Sequence, residues 1–264
     1  MSAPAFSRAP PAKLSLEEDE IHVWRARLGL ARRRLERLAN TLSPDEQTRA
    51  ARFHFARDRD HYIAGRGLLR SILGKYLATE PGQLRFSYNP YGKPELASPA
   101  NSGALRFNLA HSRGLALYAF TRRRQIGIDV EMIRPDFATE EIAARFFSPA
   151  EIAVLRALPR ELQPPAFFNC WTRKEAFIKA RGMGLSLSLD QFVVAFAPGE
   201  SPALVSAADD TQAAEHWAIA ALEPGDGYAA ALAVEGRDWK LKCWKLPEGT
   251  GQGSALTPSP RAKS

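Results

Sequence analysis

Residues 122–131 read RRRQIGIDVE, and the parsing of this stretch decides the fold. Its first four residues form a polar run between two apolar, strand-like patterns, 115–121 before it and 126–131 after it. A polar joint between two structured segments is a boundary signal. In the second strand, alternation puts Ile126, Ile128 and Val130 on one face and Asp129 and Glu131 on the other. The same order of features recurs on either side of the joint. Ser43-Pro44-Asp45-Glu46 and Ser148-Pro149-Ala150-Glu151 each offer a Ser N-cap, a Pro at the first helical position and an acid in the first turn. A longer helix follows each cap. One spans 58–77, with Ile63, Leu68, Leu69, Ile72, Leu73 and Leu77 at helical spacing, and the other spans 164–180. Strands then follow in both halves. The predicted fold class is α+β, built as two similar tandem α+β halves over 19–124 and 125–246.

Between these markers, 21–24 reads as a short strand and 25–40 as an Arg-rich segment whose apolar positions are Leu28, Leu35 and Leu38. Short strands are predicted at 84–87, 105–109 and 115–121, a turn at 89–92, and a helix at 139–146. Residues 1–18 are rich in Pro, Ala and Ser, and 247–264 in Pro, Gly and Ser, so both ends are predicted to be disordered.

The chain has 264 residues, of which 45% are hydrophobic and 25% charged, the profile of a globular protein with a sizeable core. No stretch approaches the roughly 20 apolar residues of a membrane helix, and the N-terminus lacks the apolar core of a secretory signal. Cys170 and Cys243 have no zinc-ligand spacing and suit a reducing, cytoplasmic setting. The net charge of +7 favours acidic partners. RNA is one candidate, through Arg25, Arg27, Arg32, Arg33, Arg34 and Arg37. No RNP-like aromatic strand or GXXG loop accompanies them, which argues against a nucleic-acid module. GxxxxGK[ST] and GxGxxG loops are also absent.

Four clusters carry chemistry. Asp129 and Glu131, pointing the same way, suit a hard divalent cation, although any half-exposed strand shows such alternation. Trp171, Glu175 and Lys179 share a helix face at i, i+4 steps, as an active group or as a surface ion pair beside a half-buried Trp. The helix stops at Gly182-Met183-Gly184. His111 ends the strand Phe107-Asn108-Leu109-Ala110-His111-Ser112, where it could donate to a phosphate or be satisfied by backbone. Tyr91-Gly92-Lys93-Pro94 is a tight turn presenting one Lys.

Together these strings resemble the 4′-phosphopantetheinyl transferase superfamily, in its larger Sfp-type, pseudo-dimeric form. The motifs are YGKP at 91–94, FNLAHS at 107–112, GIDVE at 127–131, FFSPAE at 146–151 and WTRKEAFIKARGMGLSL at 171–187, and the likeness spans roughly 43–234. The stretch 55–66 adds to it. The resemblance implies a pseudo-two-fold pair of antiparallel sheets packed with helices, with coenzyme A in the cleft between the halves. Asp129, Glu131 and Glu175 would hold magnesium, or manganese. Lys179 would contact the phosphates, and Arg49, Lys93 and His111 the 3′-phosphate and nucleotide. The backbone from Tyr88 to Lys93 and at Ala110 would line the adenine pocket. Glu175 would act as general base on the incoming hydroxyl, with Lys179 and Asp129 completing the catalytic set. The partner implied is an acidic acyl or peptidyl carrier protein, docking around 179–189, where Met183 and Leu185 either face outward or pack internally. Two halves in one chain imply a monomer. Glu46 stands where some members carry a basic residue.

Overall fold

β1 (Glu20–Arg27) and β5 (Leu115–Arg122) are buried along almost their whole length, which means that something must cover both of their faces. In β5, Leu115, Leu117 and Ala119 point one way, Ala116, Tyr118 and Phe120 the other, and all six are buried. The computed structural model, which describes residues 6, 9–11, 14–97, 105–138 and 140–247, shows what covers each face.

The first sheet has the order β11-β1-β5-β4, with β4 at Leu105–Ser112 and β11 at Lys240–Lys245. The second has the order β6-β10-β9, with β6 at Ile126–Met132, β9 at Trp217–Leu222 and β10 at Tyr228–Glu235. Two hairpins pair β2 (Phe86–Tyr88) with β3 (Pro94–Leu96) and β7 (Phe192–Ala195) with β8 (Ala203–Ala207). Neighbouring strands are antiparallel, except that β11 runs parallel to β1.

The sheets lie back to back. Ile21, Val23, Leu115 and Leu117 of the first meet Ile126, Ile128, Val130, Leu232 and Val234 of the second. Outside the first sheet, α1 (Arg32–Ala39) and α3 (Ala56–Leu77) bring Leu35, Leu38, Leu69 and Leu73 onto Trp24, Tyr118 and Phe120. Outside the second lies α6 (Gln163–Arg181), with Phe177 and Ala180 in one core with Ala229, Ala231 and Ala233 of β10. The layers therefore run helix, sheet, sheet, helix, each α+β half burying one face of its sheet under a long helix and the other against its neighbour.

The repeated caps have repeated partners. α2 (Pro44–Ala51) and α5 (Pro149–Ala157) both open with a capping box, in which Glu46 accepts from the Ser43 amide at 3.0 Å and Glu151 from the Ser148 amide at 2.8 Å. Both glutamates are 1% exposed. Arg66 and Arg70 of α3 donate to Glu46 at 2.8 and 2.7 Å, and Lys174 of α6 pairs with Glu151 at 2.7 Å. Glu46 is thus an internal counter-ion that ties the short helix of its half to the long one.

Three expectations are corrected. Residues 1–18 are not wholly free: Phe6 and Leu16 are buried in the cores, and the Leu16 carbonyl accepts from Arg122 at 2.6 Å. These few apolar side chains outweigh the Pro and Ser around them. β11, expected in the second half, lies in the first sheet, where it covers the β1 edge and puts Trp244 against Trp24 and His22, with ring centroids 5.0 and 4.4 Å apart. Finally, the strand expected at 21–24 is longer: β1 runs on through Arg25 and Arg27, and helix begins at Arg32. The predicted helix at 139–146 is α4 (Glu140–Phe146), and the short α7 (Ala213–His216) precedes β9. Thr139 and 248–264 lie outside the described residues. Among those described, no helix is long and apolar enough to cross a membrane.

Candidate active site

The outer face of β6 presents Gly127, Asp129 and Glu131 to α6. A Cβ on Gly127 would lie 2.0 Å from the Ala176 carbonyl oxygen and 2.3 Å from the Ala180 nitrogen. Helix and strand therefore touch backbone to backbone, and only glycine fits. This contact lowers the Glu175–Lys179 turn of α6 onto Asp129. Lys179 Nζ donates to Asp129 Oδ1 at 2.5 Å, while Asp129 Oδ2 is buried with no hydrogen-bond partner among the described residues. Ser112 Oγ donates to Glu131 Oε2 at 2.7 Å and itself accepts from the Met132 amide at 3.1 Å.

The four charged groups lie in one field. Burial raises the pKa of Glu175, with Asp129 and Glu131 adding to the rise and Lys179 opposing it. Glu131 is raised by burial and by Asp129, against the Ser112 hydrogen bond. Burial alone would lower Lys179, but the three carboxylates outweigh it, so its pKa is raised and it stays an ammonium. Among the described residues, no three His, Cys, Asp or Glu side chains converge closely enough to hold a metal as they stand. The donor chemistry nevertheless fits a hard divalent cation. Three mutually repelling carboxylates and one unpartnered buried oxygen form an oxygen-only set with unused acceptor capacity.

The remaining candidates are more dispersed. His111 stands near the end of β4, where desolvation together with Lys179 and His61 holds its imidazole below the ordinary value, against the pull of Asp129. Arg49 stacks over Tyr62, 5.6 Å from the ring centroid, and lines an open groove of about 640 Å³ with Asp45, Thr48, Arg52 and Phe53. None of Asp129, Glu131 and Glu175 lines that groove. Tyr88 is exposed and accepts from Arg66 at 3.1 Å through its hydroxyl. Ala110 is buried in the core between the sheets. Lys93 does not face an open phosphate site, because its ammonium donates to the carbonyls of Ile126, Lys179 and Ala180 at 3.1, 2.7 and 3.4 Å. Met183 packs against the second half's core, and the side chain of Leu185 lies outside the described residues.

Sequence reasoning passed over Gly127, Asn108 and Ser112. Asn108 Oδ1 accepts from the Ile128 amide at 2.9 Å. Both Asn108 and Ser112 bridge β4 to β6, between two sheets that no main-chain ladder joins among the described residues. Their period-two spacing with Ala110 was the available signal.

Two family profiles cover the chain in tandem. One, described as 4′-phosphopantetheinyl transferase, N-terminal, matches residues 30–121, and the other, the 4′-phosphopantetheinyl transferase superfamily, matches 125–233. The chain is 45% identical over 234 residues to the 4′-phosphopantetheinyl transferase HetI of Nostoc sp. (strain PCC 7120), covering 89% of this chain and 95% of that one. It is also 36% identical over 159 residues to the 4′-phosphopantetheinyl transferase Sfp of Bacillus subtilis, covering 60% of this chain and 68% of that one. With Asp129, Glu131, Glu175 and Lys179 drawn together on the motifs that first suggested the likeness, the chain belongs to the 4′-phosphopantetheinyl transferase superfamily.

Proposed function

We propose that this protein transfers the 4′-phosphopantetheine arm of coenzyme A to a serine hydroxyl of an apo acyl or peptidyl carrier protein, releasing 3′,5′-ADP. One observation carries the reading: the contact of α6 with Gly127, which sets three carboxylates and one ammonium side by side. Asp129, Glu131 and Glu175 would hold Mg2+, with Mn2+ as the alternative that oxygen ligands also accept. When bound, such an ion supplies Lewis-acid charge to the pyrophosphate.

The chain's own residues do the rest. The raised pKa of Glu175 suits it to take the proton from the incoming serine hydroxyl. Lys179, kept cationic by its neighbours, neutralises charge on the phosphate as the bond to the β-phosphorus is exchanged. Arg49 supplies a cation and the neutral His111 an imidazole N–H donor for the 3′-phosphate, and the backbone from Tyr88 to Lys93 forms a wall for the adenine. The joint at 122–125 divides the two halves that flank the site. A net charge of +7 favours an acidic carrier. One chain contributes every residue named here, which suits a monomer, and buried Cys170 and Cys243 suit a reducing cytoplasm. The test is the intact mass of a purified apo carrier after incubation with this protein, coenzyme A and Mg2+, with and without chelator. A chelator-sensitive gain of one phosphopantetheine is the expected result. No gain on several apo carriers, despite bound coenzyme A, would end the transferase reading.

A further inference from the structure

Two stretches that look unrelated in sequence, NPYGKP at 89–94 and RGMG at 181–184, interlock in space. Asn89 Nδ2 donates to the Gly182 carbonyl at 2.8 Å, and Asn89 Oδ1 accepts from the Tyr91 and Lys93 amides, both at 2.9 Å. Gly182 caps α6 at φ +67° and Gly184 follows at φ +54°. A Cβ on Gly182 would lie 3.3 Å from Asn89 Nδ2, and one on Gly184 3.1 Å from Tyr91 Cβ. Both glycines thus serve a conformation and a close approach at once. Lys93 completes the joint from the other side. Its three N–H donors face three carbonyls, two from the last turn of α6 and one from the first residue of β6. A cation there also answers the negative end of the helix dipole. Burial pushes the Lys93 amine down to about 8, as for an ammonium removed from water into a protein seat.

We infer that Lys93 is a positioning residue, a clamp from the first half that fixes the last turn of α6 against β6 and so sets where Lys179 and Glu175 stand. The inference rests on the transferase reading and departs from it in removing Lys93 from the 3′-phosphate contacts. Lys179 is then held at both ends, its carbonyl by Lys93 and its ammonium by Asp129. Misplacement of a reacting group by a fraction of its bond length lowers turnover more than affinity.

The test compares Lys93→Met and Asn89→Asp with wild type, using coenzyme A and 3′-dephospho-coenzyme A as paired substrates. Asn89→Asp keeps the acceptor for the turn amides and sets a carboxylate oxygen against the Gly182 carbonyl in place of the donor, so it reports on the clamp if Lys93→Met fails to fold. The expected result is a kcat lower by about 10-fold or more, with the ratio of the calorimetric Kd values for the two nucleotides within about twofold of wild type. The preference between the nucleotides stays unchanged, whereas Arg49→Ala narrows it. Hydrogen exchange should quicken in residues 178–182 and not in α3, a readout that stands even if wild type transfers nothing. Loss of the coenzyme A preference at near-normal kcat would make Lys93 a phosphate ligand and overturn the inference. So would two folded variants with wild-type exchange at 178–182.

Discussion

Glu175 carries the most demanding assignment of any single side chain. Exchange for glutamine keeps its size and removes its basicity. Glu175→Gln is expected to lower turnover by about 10²- to 10⁴-fold at saturating Mg2+ while coenzyme A binding changes little. Holo-carrier formation rates and calorimetry check this, and near-normal turnover would remove the base role. A second residue matters for stability alone. Trp24 Nε1 donates to the Tyr76 hydroxyl at 3.0 Å, that hydroxyl donates to His22 Nδ1 at 2.8 Å, and His22 Nε2 donates to Glu20 at 2.9 Å. A neutral imidazole protonated at Nε2 gives every group in this chain a partner. Burial holds His22 down to about 4, against the attraction of Glu20 and with Lys242 nearby. Glu20 itself is lowered by Lys242 and His22 in spite of burial, and keeps its charge in this range. Below pH 6.5 the unfolded chain therefore binds a proton that the fold refuses, and acid costs stability until the folded His22 titrates near pH 4. About 2 kcal/mol should be lost by pH 5 relative to pH 7. Urea titrations at both values measure it, and His22→Gln should remove that part of the slope.

Among the elements, α6 and β6 depend on a glycine whose purpose their periodicities conceal. Gly127→Ala is expected to cost about 1–3 kcal/mol and to lower activity, because α6 must lift and carry Glu175 and Lys179 with it. Gly65→Ala in α3 meets nothing within 4 Å and makes the control, at neutral or improved stability. Denaturation midpoints and turnover for both variants decide it, and equal behaviour would end the account. The contrast also marks what the sequence can show. Alternation revealed β6 and both caps, since strand pleat and capping boxes are local. The cations that answer Glu46 and Glu151 stand 20 or more positions downstream on other helices, and no local spacing pairs them. The acid set was legible through its motifs, whereas Lys93 was misleading, because a Lys at a turn tip looks solvated until a helix end is seen to dock on it.

Across the molecule, the joint at 122–125 was visible because a polar run interrupts two strands, while the return of β11 to the first sheet was not. A six-residue strand reads the same whichever sheet receives it. Removing residues 239–264 should expose the β1 edge and the Trp24 face that Trp244 covers, lowering the melting temperature by several degrees or abolishing soluble expression. A shortened chain as stable as the full one would make β11 dispensable. The same strand sets a timetable for the cell. Asp19 and Lys240, partners where β11 meets the start of β1, stand 221 positions apart. On the ribosome, β1 therefore waits with one edge bare until the 221 positions from Asp19 to Lys240 have been added, the interval in which a nascent chain is most open to foreign strands and most in need of a chaperone.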